Sequence, residues 1–180
     1  MFISGVYDAQ AAVTLIELRL SQMPAHLRRG LRKLLCSGKA RRHVTGNRFA
    51  SAVAWPDCGV VLIAGNGRRR QKLRLSLELV THETAHLVCP RTGGAPPRIR
   101  AAWDTAHRMD PPPPSYLQLY HDDLVQVEMW ADSVAWLLCE LTGEPSSLPR
   151  TLRAMGRAAN RAADAYPQQA RIALQFLHAA

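Results

Sequence analysis

The segment of this chain that most directly suggests chemistry is Thr81–Leu87, which reads T-H-E-T-A-H-L. It contains two histidines four residues apart, His82 and His86, with Glu83 directly after the first. On a helix, residues four apart lie on one face, so both imidazoles can bind one Zn²⁺ while Glu83 acts as general base toward a water at the metal. A surface helix with two solvated histidines is the alternative, but the pattern predicts a catalytic zinc site.

A catalytic zinc ion usually has three protein ligands. The third is predicted on a long helix that opens with the capping box Ser115-x-x-Gln118. The apolar stripe of this helix, at spacings of three and four residues, contains one carboxylate, that of Glu128. An unpaired carboxylate facing a core is costly, and coordination of zinc removes that cost. Asp132, one turn later, can accept a hydrogen bond from a ligand histidine and so orient its imidazole.

Other assignments of these residues stay open. Glu128 and Asp132 can instead pair with arginines at the edge of the core. Four other side chains compete as ligands: His107, His121, Asp122 and Asp123. His121 lies about two turns before Glu128, roughly 10 Å along the helix axis, which is too far to bind the same ion comfortably. It suits a substrate-side role, unless it is a capping or core histidine. Three residues are therefore candidates for oxyanion stabilisation or substrate contact: Tyr116, Tyr120 and His121.

Apolar periodicity predicts the elements that position these residues. Two strands, Phe49–Trp55 and Val60–Ala64, precede the metal helix and are joined by a turn at Pro56–Gly59. The second strand is either core or an edge that can pair with an extended peptide. The stretch before His82 alternates as a strand would, but only a helix puts both histidines on one metal. Helices are predicted over residues 8–21, 24–36, 71–88, 99–108, 115–142, 149–165 and 168–177.

The predicted fold class is α+β: a helix-rich domain with a small antiparallel sheet before the H-E-x-x-H helix. With 180 residues, the chain suits a single domain that buries its own core. Its predicted parts are a basic helical N-terminal part at 1–45, a core at about 46–145, and C-terminal helices at about 149–178.

The net charge of +9 is distributed unevenly. Residues 1–74 contain 14 Lys and Arg against three acidic residues, whereas residues 75–180 contain nine against eleven. The surplus includes the turn Arg68-Arg69-Arg70 directly before the metal helix. Such a surface can bind nucleic acid or an acidic partner, or it can simply be solvated.

The sequence contains neither a signal-peptide pattern nor an apolar run long enough to span a membrane, which predicts a cytoplasmic protein without membrane contact. The four cysteines are scattered singly, without a C-x-x-C pair. This spacing predicts reduced thiols rather than a disulfide framework or a structural zinc knuckle.

The order of strand, basic turn, H-E-x-x-H helix, variable loop and E-x-x-A-D helix resembles the gluzincin metallopeptidases, and within them the ImmA/IrrE-type domain. The resemblance covers about residues 59–141 and rests on His82, Glu83, His86, Glu128, Ala131 and Asp132. It implies a zincin-like fold, in which two histidines and a glutamate bind Zn²⁺ and a second glutamate is the general base. The E-x-x-A-D element is also similar to that of HtpX-like proteases, but their membrane helices have no counterpart in this sequence.

The predicted function is that of a zinc-dependent endopeptidase acting on a protein or peptide. One alternative is a regulatory zinc protein associated with DNA or RNA through the basic N-terminal half. The other is a toxin or effector metalloprotease acting on a host protein. Intact Glu83 argues against a purely structural zinc, because such a site needs no base beside its ligand.

Overall fold

The computed structural model describes seven ranges of the chain: residues 2–4, 9–40, 52–65, 75–110, 112, 122–147 and 161–179. These ranges form helices and one small sheet, which confirms the predicted α+β class. A continuous apolar core joins residues from the first described helix to the last. None of the described helices is long and apolar enough to cross a membrane.

The sheet is mixed, so the prediction of an antiparallel sheet was wrong. Its four strands are β1 (Phe2–Ser4), β2 (Lys33–Ala40), β3 (Ala52–Trp55) and β4 (Val60–Gly65). They lie in the order β1-β2-β4-β3; β1–β2 and β2–β4 pair in parallel, and only β3–β4 pair antiparallel. The local turn between β3 and β4 was visible in the sequence, whereas parallel partners are brought together by crossovers that local periodicity does not reveal.

Strand β2 begins in residues that were predicted as the end of a helix. The helix predicted over 24–36 is a single short element, α2 (Ala25–Arg28), because the chain then extends to pair Leu34–Cys36 with Val61–Ile63 of β4. Leu34 and Cys36 are buried and Leu35 less so, a period-two pattern. The leucines at 27, 31, 34 and 35 fit a helical stripe equally well. Pairing with β4 therefore decided that the chain forms a strand from Lys33 onward.

The turn between β3 and β4 was predicted correctly, and it contains a short 3₁₀ helix, Pro56–Cys58. Gly59 ends this helix with a φ of 67°, in the left-handed region that glycine adopts without strain. A Cβ at this position would overlap the Gly30 carbonyl. The Gly59 carbonyl accepts the Arg32 N–H at 2.8 Å, which fixes the start of β2 beside β4.

Most of the remaining described helices agree with the predicted segments. The helix predicted over 149–165 is not continuous, because Arg161 has an extended backbone and the helix described there is only Ala162–Ala165. The remaining described helices are α1 (Ala9–Ser21), α3 (Leu77–His86), α4 (Pro97–Met109), α5 (Asp122–Thr142), α6 (Ala162–Ala165) and α7 (Pro167–Leu177). The predicted starts of two helices, at residues 115–121 and 149–160, lie outside the described residues. The described cysteines carry no disulfide, and three of the four are buried.

Candidate metal centre

Helix α3 carries the two histidines and begins at a defined cap. The Ser76 hydroxyl accepts the Leu79 N–H at 3.1 Å, so the first helical residue is Leu77 rather than a residue near position 71. Residues 71–74 lie outside the described part of the chain. The fully buried apolar side chains of α3 are those of Leu77, Val80 and Ala85. Their burial fixes the rotation of the helix, and His82 and His86 are turned toward α5.

Helices α3 and α5 pack side by side in opposite directions, with polar contacts crossing between them at successive turns. Three pairs are joined in this way: Glu78 with Trp136, His82 with Asp132, and His86 with Glu128. Each four-residue step forward along α3 is met by a four-residue step back along α5. This register places the predicted third ligand opposite the second histidine.

Three side chains converge closely enough to hold one metal ion. His82 Nε2 lies 3.1 Å from His86 Nε2 and 3.3 Å from a Glu128 carboxylate oxygen. The other Glu128 oxygen lies 3.8 Å from His86 Nε2. A zinc ion bound tetrahedrally at about 2.0–2.1 Å from each ligand keeps its ligand atoms about 3.3–3.4 Å apart. Both distances from His82 Nε2 are close to this value, and the distance from His86 to Glu128 is longer. The three residues form a group that could hold a metal ion.

Asp132 fixes which nitrogen of His82 faces this cluster. His82 Nδ1 lies 2.9 Å from the Asp132 carboxylate, which can only accept a hydrogen bond when ionised, so Nδ1 is the donor. The other nitrogen, Nε2, then points toward His86 and Glu128. Histidine ligands of metals are commonly held in this way by a carboxylate, which sets both tautomer and ring orientation.

The two histidines have opposite protonation preferences. Burial disfavours the charged form of His82, but hydrogen bonds with Asp132 and Glu128 outweigh burial and raise its pKa well above 6.5. Burial lowers the pKa of His86 to about 4, and the neighbouring charge of His82 acts in the same direction. At neutral pH, His86 is therefore a neutral imidazole with a lone pair available, whereas His82 must release a proton before it can bind a metal.

Glu83 lies beside the cluster without belonging to it. Its exposed fraction is 7%, and burial raises the pKa of its carboxyl group to about 7. The charge on His82 opposes this rise, and the carboxylates of Glu128 and Asp132 add to it. A carboxyl group with a pKa near neutrality can accept and release a proton at physiological pH, as a general base requires.

The other predicted site residues are not part of the described cluster. Several predicted site residues lie outside the described part of the chain: Tyr116, Tyr120, His121 and the turn Arg68–Arg70. The same holds for the side chains of Asp122 and Asp123. His107 lies on α4, where burial lowers its pKa, and its charged neighbours are Arg91, Asp104 and Asp110. Within the described ranges, His107 does not join the metal-binding group.

Two tryptophans of α5 were missed as hydrogen-bond partners of α3. The Trp136 indole donates to Glu78 at 3.1 Å, and the Trp130 indole donates to the Ala85 carbonyl at 3.1 Å. A buried indole N–H usually finds a hydrogen-bond acceptor. Two tryptophans on a helix with a buried stripe were therefore a usable signal, although the sequence did not identify the acceptors.

Part of the predicted basic surface lies around a cavity. Arg29 after α2 and Arg98 of α4 line a cavity of about 290 Å³ whose apolar wall includes Leu87, Ile99 and Phe176. Arg29, from the basic half of the chain, thus shares a cavity with an arginine from residues 75–180. The turn Arg68–Arg70 lies outside the described residues, so a basic surface that includes this turn stays a prediction.

Comparisons with known proteins add no relative to this description. No family model, no curated protein and no solved structure matches the chain.

Proposed function

We propose that this protein is a zinc-dependent endopeptidase of the gluzincin type, similar to ImmA/IrrE domains. The observation that carries the proposal is the convergence of His82, His86 and Glu128 into a group that could hold one metal ion, with buried Glu83 beside them. Two imidazoles and one carboxylate from antiparallel helices are a ligand set typical of catalytic zinc, which keeps a fourth position for water.

The chain's own residues divide the chemistry among them. A zinc ion, when bound, supplies a Lewis acid that acidifies water and polarises a carbonyl group. Glu83, buried beside the cluster, takes the proton of the attacking water and passes it to the leaving amine. Asp132 keeps a proton on His82 Nδ1 and so holds Nε2 toward the metal.

The substrate we propose is an extended segment of a protein or peptide. Strand β4 cannot pair with it, because β4 already has β2 on one side and β3 on the other. Strand β3 has β4 on one side only among the described strands, and it packs against α3. Its outer edge is therefore the better place for main-chain pairing with a peptide, which corrects the strand expected from the sequence.

Metal analysis and a Glu83→Gln variant test the proposal together. We expect one zinc per chain in both proteins, and hydrolysis of a labelled casein or a peptide library by the wild type alone. The substitution removes the base while it keeps size and hydrogen-bonding capacity, so the loss should appear in kcat. Glu17→Gln, an exposed change on α1, is the control that should leave cleavage intact. Cleavage by Glu83→Gln at the wild-type rate would exclude the mechanism.

The alternatives make different use of the same residues. A nucleic-acid-associated zinc protein would use the basic residues and would have no need of Glu83. Its support is the basic surplus, part of which lies at the cavity between Arg29 and Arg98. A toxin or effector metalloprotease would share the chemistry proposed here and differ only in its substrate.

A further inference from the structure

Helices α3 and α5 supply all three proposed ligands, so the metal geometry depends on how firmly these helices are held together. His82 and His86 belong to α3, and Glu128 belongs to α5. A shift of one helix along the other would change the separation between the imidazoles and the carboxylate. A contact that fixes this separation without binding the metal would position the ligands.

The Trp130 side chain makes such a contact. Its indole N–H donates to the Ala85 carbonyl at 3.1 Å, and both residues are fully buried. Ala85 immediately precedes His86, and Trp130 comes two residues after Glu128. The Ala85 carbonyl also accepts the Val88 N–H at 3.1 Å, and its second lone pair is available to the indole. The bond therefore joins the two ligand helices next to their ligands.

The Trp130 ring is itself held by aromatic contacts from two further helices. The Trp103 ring of α4 meets it edge-on with centroids 5.1 Å apart, and the Phe176 ring of α7 also lies at 5.1 Å. Such edge-to-face pairs are favourable arrangements for buried rings. The indole is thus fixed by α4 and α7 while its N–H reaches α3.

We infer that Trp130 is a positioning residue, whose hydrogen bond to the Ala85 carbonyl sets the separation of His86 and Glu128 and thereby the metal affinity. The inference rests on the metal centre of the proposed function, although it does not depend on peptide hydrolysis. Loss of the N–H should leave the ligands in place but free the end of α3 to move against α5.

The chain contains a matched control for this role. Trp136 is also buried on α5, and its indole N–H also donates across to α3 at 3.1 Å, but its acceptor is the Glu78 carboxylate. It lies eight residues beyond Glu128, which is roughly 12 Å along the helix axis. Trp136→Phe therefore removes the same kind of bond between the same two helices, away from the ligands.

The test compares Trp130→Phe with Trp136→Phe in the full chain. We expect Trp130→Phe to weaken zinc binding, measured by competition with a chelator, about 10-fold, the lower end of the range for residues that support metal ligands. Trp136→Phe should leave the affinity within about 2-fold of the wild type. The absorption spectrum of the Co²⁺-substituted protein should change only in Trp130→Phe, because it reports ligand geometry. Unfolding in denaturant of the metal-free proteins separates this effect from general destabilisation.

A benzothienylalanine at position 130 provides a second variant if Trp130→Phe does not fold, because it keeps the ring shape and lacks only the N–H donor. It should reproduce the loss of affinity and the changed Co²⁺ spectrum. Wild-type affinity and spectrum in a folded position-130 variant, or an equal loss in Trp136→Phe, would overturn the inference and leave the metal centre standing. A wild-type protein that binds neither Zn²⁺ nor Co²⁺ would overturn the metal centre and this inference together. Metal binding without peptide hydrolysis would contradict only the proposed peptidase activity.

Discussion

His82 donates its Nδ1 proton to Asp132 across 2.9 Å, and this contact decides which nitrogen of His82 is available to a metal. The two residues are fifty positions apart in the chain. Because Nδ1 is engaged, Nε2 is held within 3.1 Å of His86 Nε2 and 3.3 Å of Glu128. The carboxylate of Asp132 thus organises the cluster without being one of its proposed ligands.

Asp132→Ala should weaken zinc binding about 10–100-fold, the usual cost of losing a carboxylate that orients a histidine ligand. Without this acceptor, the His82 ring can rotate and the proton can move to Nε2. Chelator competition measures the affinity. Asp104→Ala is the matched control. It removes a carboxylate of α4 that is paired with Arg91, and it should leave zinc binding unchanged. Wild-type affinity in Asp132→Ala would mean that the contact does not support the metal.

Glu128→Ala should abolish stoichiometric zinc binding, because only two protein ligands remain and a catalytic zinc site usually has three. Elemental analysis after dialysis measures the occupancy. Glu140→Ala tests the same substitution further along α5, where the carboxylate accepts the Ala162 N–H at 2.9 Å. This control should loosen the start of α6 and leave zinc content intact. Full occupancy in Glu128→Ala would assign the third ligand to another residue.

The metal-free protein should lose stability as the pH rises above about 6.5. The pKa of His82 is raised in the folded protein, so above about pH 6.5 the folded protein keeps a proton that the unfolded chain has released. The stability that this proton contributes is complete below about pH 6.5 and is lost as the pH rises through the pKa of His82 in the folded protein. Glu83, whose pKa is raised to about 7, acts in the same direction up to that pH. The lowered pKa of His86 acts in the opposite direction only between about 4 and 6.5.

Thermal unfolding of chelator-treated protein between about pH 6 and 8 measures this trend. Asp132→Asn should flatten it, because the amide cannot stabilise a charged His82. Zinc affinity should rise over the same range, since binding displaces the His82 proton. A metal-free protein that becomes more stable toward pH 8 would contradict the assigned His82–Asp132 ion pair.

Glu78→Ala should destabilise the fold by about 1–3 kcal/mol, because it leaves the buried Trp136 indole N–H without its acceptor. The same carboxylate accepts the backbone N–H and the hydroxyl of Ser147, so the segment after α5 should loosen as well. Denaturant unfolding measures the first effect and amide exchange at Ser147 the second. An unchanged unfolding midpoint would show that these hydrogen bonds add no net stability.

Neutralising Arg68, Arg69 and Arg70 should raise KM for an acidic protein substrate and leave kcat unchanged, because the turn lies shortly before the metal helix in sequence. Nucleic-acid binding should be negligible in both proteins. A complex with DNA or RNA whose affinity falls steeply between about 50 and 200 mM salt would instead favour the regulatory alternative. Insensitivity of that complex to Glu83→Gln would strengthen the case against a peptidase.

The sequence determined the features that depend on neighbours along the chain. His82 and His86 share a face because they are four residues apart on one helix, and strand β4 and its turn followed from an apolar run and a Pro-Asp-Cys-Gly segment. The α+β class and most helix ends followed from the same local patterns. Glu128 was identified because a carboxylate within an apolar stripe needs a partner.

The tertiary structure decided the features that join distant segments. The residues of β2 fit a helix as well as a strand until β4 offered main-chain partners at Leu34–Cys36. The register of α3 against α5, which places Glu128 beside His86 and the Trp130 indole on the Ala85 carbonyl, depends on how whole helices pack. Periodicity along a sequence indicates which face of a helix or strand is buried. Only complementary packing in three dimensions determines which residues of a neighbouring element lie opposite that face.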